Sequence, residues 1–339
     1  MRRIILSQAV RANVSRLLPV NTLSLNARFV RRITNMAPTL EHAHPPNTCQ
    51  YPAHTKRGNY LIQVAWPLCW GADRIPQEND AEGVSTLYVM DGNAYFFTAV
   101  DVSRRLEFTN SSRTVVVGIG YPPGKYVYDF RRGPDLTPPT ADGKYDMPLD
   151  RDGNPRTDLA FGEADDFLDF VQHDVMTYVE KTLFPHVPLS TSRRALFGHS
   201  YGGIFALNAL YTRPTLFDTF IAASPDIDWN LSSMVREQEA AFRGREHPAN
   251  PPPALVLTWG TGQQDLVKGQ DESDESFGKR LECAESKTMR DSANALVERL
   301  NACPSVRTVS TWEFVGEDHG SAAVTGVQHG ILKFLVDKI

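Results

Sequence analysis

From Asn59 onward, apolar residues recur in two alternating rhythms. Short runs rich in β-branched and aromatic residues predict strands at Tyr60–Trp66, Ser85–Met90, Thr114–Ile119, Arg194–Gly198, Thr219–Ala223, Ala254–Trp259 and Thr308–Val315. Longer amphipathic stretches predict helices at Glu163–Leu183, Tyr201–Tyr211, Lys287–Leu300 and Val324–Asp337; in the first, Phe167, Phe170, Val171, Asp174 and Val175 fall near helical spacing. Strands that alternate with helices imply an α/β fold, a mainly parallel twisted sheet with helices on both faces. Two stretches interrupt the alternation. Arg131–Leu159 is crowded with Pro, Gly and Asp, and Gln263–Glu282 is mostly polar and acidic, so both are expected to be insertion loops outside the core.

Composition narrows the class. With 41% hydrophobic residues among 339, the chain can bury a large core, and no apolar run reaches the roughly 18 residues needed to span a bilayer. Charge is uneven: residues 1–40 hold seven arginines and no acid, which leaves 28 basic against 40 acidic residues beyond, a balance of −12. An acidic body argues against nucleic acid as a partner. The leader has the composition of a mitochondrial transit peptide, the alternative being a tail upstream of Met36 without function. Cys49, Cys69, Cys283 and Cys303 have no metal-ligand spacing and are read as free thiols in a reducing compartment. The expected location is therefore cytoplasmic, or mitochondrial if residues 1–35 act as a transit peptide.

The chemistry is carried by Gly198-His199-Ser200-Tyr201-Gly202, a G-x-S-x-G motif between a predicted strand and a predicted helix. A serine on so tight a turn has strained backbone angles, and Cβ atoms at Gly198 and Gly202 are expected to collide with the neighbouring chain. The Ser200 hydroxyl then stands at the carboxyl end of the sheet over a helix N-terminus, where the Tyr201 N–H can stabilise an oxyanion. A second donor is expected from the loop after Ser85–Met90, at Gly92 or Asn93. Of the histidines that follow Ser200, His247 lies in a Pro-rich linker and His329 inside the last helix; His319, just past the last strand, is the candidate base. His199 is expected to point away from the nucleophile and serve packing or hydrogen bonding. The acid is left open between Asp265, Asp226 or Asp228, and a Ser-His dyad, because Gln263 stands where a carboxylate would follow Gly260.

Six segments, in order, extend this pattern: Leu-Tyr-Val-Met-Asp-Gly-Asn (87–93), Val-Val-Val-Gly-Ile-Gly-Tyr (115–121), Arg-Arg-Gly-Pro-Asp-Leu-Thr-Pro-Pro (131–139), Gly-His-Ser-Tyr-Gly-Gly-Ile-Phe-Ala-Leu (198–207), Ala-Ser-Pro-Asp-Ile-Asp-Trp-Asn (223–230) and Gly-Glu-Asp-His-Gly-Ser (316–321). Together they resemble the esterase-D-type α/β-hydrolases, and within them the trilactone hydrolases of enterobactin and salmochelin and the fungal siderophore esterases. The resemblance implies a single α/β-hydrolase domain over 41–339 that cleaves siderophore esters with a serine nucleophile. It also implies no cofactor in the protein, iron entering only with a ferric substrate. It implies substrate contacts from Arg131 and Arg132, a pocket-lining Trp229, and a Ser-His pair without the usual acid. The charge of −12 favours a near-neutral hydroxamate of the fusarinine type over a trianionic catecholate. Two other readings use the same residues: a broad carboxylesterase or acyltransferase, and a catalytically silent binding protein.

Overall fold

The computed structural model describes residues 45–76, 83–147, 155–263, 268, 273–275, 277, 278 and 289–339. The leader, Asp265, Cys283 and most of the 263–282 stretch lie outside these. Cys49, Cys69 and Cys303 are not joined to one another by a disulfide, and no helix among the described residues is long and apolar enough to cross a membrane.

Eight strands form one sheet: β1 (Thr48–Thr55), β2 (Gly58–Ala65), β3 (Ser85–Met90), β4 (Thr114–Gly120), β5 (Arg193–His199), β6 (Thr219–Ala223), β7 (Ala254–Gly260) and β8 (Thr308–Phe314). Their spatial order is β1-β2-β4-β3-β5-β6-β7-β8. The β1–β2 and β2–β4 pairs are antiparallel, and the rest, from β4 through β3 to β8, are parallel. Every residue of β3, β4, β6 and β7 is buried, as a parallel sheet covered on both faces requires.

Alternate side chains of a strand enter opposite layers. Leu87 and Val89 pack toward α1 (Gly92–Asn110) and the last helix, α7 (Ser321–Leu335), whose Tyr95, Phe96, Val100, Val327, Ile331 and Phe334 complete that layer. Tyr88 and Met90 face the other layer. It contains α3 (Ala164–Phe170), α4 (Tyr201–Thr212), α5 (Trp229–Met234) and α6 (Met289–Asn301), represented by Phe167, Phe205, Met234 and Leu296. The seven predicted strands are present within two residues of their expected limits. Pattern reading missed β1, an edge strand interrupted by Pro52, and α1, whose opening Gly92-Asn93 reads as a turn.

The stretch 131–159 differs from expectation in its first part. A short helix, α2 (Arg132–Leu136), and the residues after it bury Gly133, Asp135, Leu136 and Thr137. Polar composition concealed this because what is buried is largely a satisfied carboxylate. Asp135 accepts from Arg57 (2.7 Å), Tyr60 (3.0 Å) and Tyr121 (3.3 Å), and Arg57 also pairs with Glu163 and Asp166.

Candidate active site

Ser200 occupies the junction between β5 and α4 with φ 58° and ψ −119°, a conformation costly for a residue with a side chain. The turn is held from both sides: its N–H donates to the Ala223 carbonyl and its carbonyl accepts from Ile204, each at 3.0 Å. A Cβ at Gly198 would lie 1.9 Å from the Gly202 carbonyl oxygen, so only glycine fits there. Gly202 does not share that constraint. Its added Cβ would meet Asp91 and Met90 at 3.5 Å, ordinary contact, which corrects the expected collision at this second glycine.

His319 follows β8 in a loop that the end of β7 supports. Gly262 N–H donates to the Glu317 carbonyl (2.9 Å), and Gly316 N–H donates to Thr261 Oγ1 (2.8 Å). Gly260 permits this approach, since a Cβ there would lie 2.2 Å from the Glu317 oxygen. Asp318 and Ser321 cap the start of α7 reciprocally, each side chain accepting from the other's N–H. His319 keeps solvent contact, yet partial desolvation and the nearby Arg132 guanidinium lower its pKa, with Asp318 acting against them. A neutral imidazole, the form able to accept a proton, is thereby favoured.

The expected oxyanion donors sit at helix starts. Tyr201 is the first residue of α4, and Gly92 and Asn93 are the first two of α1, so none of their N–H groups has an intrahelical acceptor. The Asn93 amide binds both polar backbone groups of Tyr121, donating to its carbonyl (2.8 Å) and accepting from its N–H (2.7 Å).

The candidate acids separate. Asp228 accepts from Ser232 (2.7 Å) and from Ser292 on α6, a tie between elements. Asp226 keeps solvent contact, although partial desolvation and Asp228 push its carboxyl up to about 6. The charges acting most on His319 are Arg132 and Asp318. Asp265 lies outside the described residues.

Arg131 and Arg132 are both engaged within the chain. Arg131 lies over the rings of Tyr60 and Tyr121 (5.3 and 5.0 Å) and donates to the Asn59 carbonyl (2.9 Å). Arg132 grips buried Asp91 as a fork, through Nε (3.1 Å) and Nη2 (2.9 Å), between the rings of Tyr128 and Tyr201. Trp229 is buried against Tyr145 and Phe161 (5.9 and 5.7 Å), and Phe161 meets Tyr201 edge-on (6.1 Å). These rings form an aromatic wall beside the nucleophile's helix. On the other side, Asn93 and the segment Tyr121–Phe130 line a cavity of about 160 Å³, with Tyr126 and Phe130 largely exposed.

Residues 73–323 match the Esterase family model. The chain belongs to the Esterase family. This esterase is 41% identical over 284 residues to a siderophore enterobactin esterase of Emericella nidulans, covering 83% of this chain and 90% of the relative. A siderophore triacetylfusarinine C esterase of Aspergillus fumigatus is 35% identical over 296 residues, covering 86% and 94%. Among solved structures, the siderophore hydrolase EstA of Aspergillus nidulans superposes with a TM-score of 0.77 at 36% identity, covering 88% of this chain and 98% of that one. The esterase is an ester-hydrolysing enzyme with the α/β fold that its strand and helix pattern predicts.

Sequence reading missed three residues bonded to the candidate site's Arg132 and His199, directly or through one another: Asp91, Tyr95 and Tyr128. Asp91 directly follows β3 and is nearly inaccessible to solvent, and an acid closing an otherwise apolar strand was the available signal. Nothing local marks Tyr95 or Tyr128: Tyr95 meets His199, distant in the chain, and Tyr128 reaches it only through Tyr95.

Proposed function

We propose that this esterase cleaves the ester bonds of an oligomeric siderophore, with Ser200 as nucleophile and His319 as base. The observation that carries the chemistry is the strained Ser200 at a strand-to-helix turn, on the same sheet rim as a solvent-accessible His319 whose pKa is lowered by partial desolvation and by Arg132. Ser200 Oγ attacks the ester carbonyl while His319 takes its proton. The N–H groups of Tyr201 and of Gly92 or Asn93 bind the oxyanion. The C–O bond to the alcohol breaks, His319 protonates that alkoxide, and a water activated by His319 then releases the acyl group. No protein-bound cofactor enters these steps, and iron comes only as part of the substrate.

A near-neutral ferric hydroxamate of the fusarinine type is the favoured substrate. The chain beyond residue 40 carries −12, and both candidate arginines have internal partners, which leaves Lys125 as the cationic side chain on the described cavity wall to meet a trianion. A catecholate triester is the second reading, supported by the name of the 41%-identical relative. A panel of cyclic and linear esters of both classes, with products followed by mass, separates them. Hydroxamate turnover at least tenfold faster supports the first; the reverse order transfers the assignment to catecholates. Faster turnover of simple aryl esters than of either would make the protein a general carboxylesterase. We further propose a cytoplasmic location. A reporter fused to residues 1–35 that reached mitochondria would overturn it.

A further inference from the structure

His199, next to the nucleophile, has both ring nitrogens occupied. Nε2 lies 2.8 Å from the main-chain carbonyl oxygen of His319, and Nδ1 lies 3.0 Å from the Tyr95 hydroxyl. The Tyr95 hydroxyl in turn is hydrogen-bonded to that of Tyr128. A carbonyl oxygen only accepts, so Nε2 must carry the proton. In a neutral imidazole Nδ1 is then an acceptor, which makes Tyr95 its donor. With its own proton committed, the Tyr95 oxygen can only accept from Tyr128. The polarity of every link is fixed: Tyr128 O–H to Tyr95, Tyr95 O–H to His199 Nδ1, His199 Nε2–H to the His319 carbonyl.

We propose that Tyr128, Tyr95 and His199 form a one-way hydrogen-bond chain that positions His319 through its backbone and links the cavity wall at Tyr121–Phe130 to the catalytic base. This rests on the reading of His319 as that base. Burial, reinforced by His319 and Arg132 and opposed by the bond to the His319 carbonyl, lowers the His199 pKa to about 3, so the ring stays neutral where the enzyme works. Burial likewise keeps the Tyr95 phenol protonated. The chain begins at a partly exposed tyrosine that lines the cavity and stacks on Arg132, so whatever settles against that wall touches its first donor. His199 and the two tyrosines are positioning residues, because none of them is required to touch the reacting atoms.

The test combines a tautomer measurement with kinetics on the full chain. Nitrogen-15 spectra of labelled histidine, with the His199 signals identified by their loss in His199→Phe, should show the Nε2–H tautomer from pH 5.5 to 8. Tyr95→Phe should convert that signal to a mixture. With an aryl acetate substrate, Tyr95→Phe should lower kcat about tenfold and His199→Phe about a hundredfold, with KM changed less than about twofold, since misplacing a base slows chemistry more than binding. Tyr128→Phe should cost about threefold. His199→Gln, whose amide N–H can still reach the carbonyl, should recover most of the rate lost in His199→Phe. An Nδ1–H tautomer in the native enzyme, equal rates in the Gln and Phe variants, or an unchanged kcat in Tyr95→Phe would each overturn the proposal. Should His199→Phe not fold, Tyr95→Phe loses only one oxygen and still decides. If Ser200→Ala kept full activity, the esterase assignment of Ser200 and His319 would fall while the tautomer result stood.

Discussion

Two buried carboxylates flank the catalytic rim, and each is neutralised by an arginine. Asp135 sits with its side chain 4% exposed beneath Arg57 and two tyrosine hydroxyls, and Arg57 spreads onward to Glu163 and Asp166. Asp91, 1% exposed, gives both its carboxylate oxygens to Arg132. The first cluster joins β2, the loop after β4, α2 and the start of α3, so its consequence is cohesion. The second joins the end of β3 to a guanidinium that also acts on His319. The same local solution therefore serves the fold in one place and the chemistry in the other, and the difference lies in what the arginine's remaining surface meets.

The sharpest separation comes from the nucleophile. Ser200→Ala should lower turnover by on the order of 10³ or more, as should His319→Ala, with the double variant little below either because the pair acts as a unit. Thermal melting of these variants should stay within a few degrees of the native protein, and a large fall would mean that the rim is structural after all. At the other pole, Asp135→Ala leaves Arg57 without its buried partner. It should cost about 3–5 kcal/mol in urea unfolding, while kcat per folded molecule is retained. If activity fell and stability held, the two clusters would have exchanged roles.

The elbow allows a finer cut. Gly198→Ala puts a methyl against a backbone carbonyl and should destabilise by about 3 kcal/mol or more, with activity lost alongside. Gly202→Ala, with only ordinary contacts, should change stability by less than about 1 kcal/mol. The smallest effect is a shift of pH profile. Because partial desolvation and Arg132 hold the His319 pKa below its ordinary value, kcat/KM should persist to lower pH than an unperturbed histidine would allow. Arg132→Gln removes one of those causes, so His319 binds its proton more readily and the acid limb should move to higher pH. A limb that moved down or stayed fixed would detach Arg132 from the base.

The sheet was legible because β3, β5, β6 and β7 are apolar on both faces and bounded by polar turns. The tight turn at Ser200 was legible because Gly198 is demanded by a local clash that leaves a local motif. What escaped the sequence depends on distant partners. Asp135 lies in a stretch whose composition reads as solvated, and its burial makes sense only beside Arg57, 78 residues earlier in the chain. Arg132 was recognised through its motif and assigned to substrate, yet its guanidinium is held by Asp91, 41 residues away. His199 was expected to bond or pack, and no spacing rule reveals that its partner would be the carbonyl of His319, 120 residues downstream.

The stitch between Gly262 and Glu317, with the His199 bond to the His319 carbonyl, has a consequence for acid tolerance. Peptide N–H and C=O groups do not titrate between pH 2 and 12, and the one imidazole in the arrangement resists protonation down to about 3. The parts of the His319 loop anchored by such groups, at Glu317 and at the His319 carbonyl, keep their place through an acidification that would discharge the capping carboxylate of Asp318. Proton uptake by His319 itself then sets the lower limit of activity, and it is a loss that neutralisation reverses without refolding.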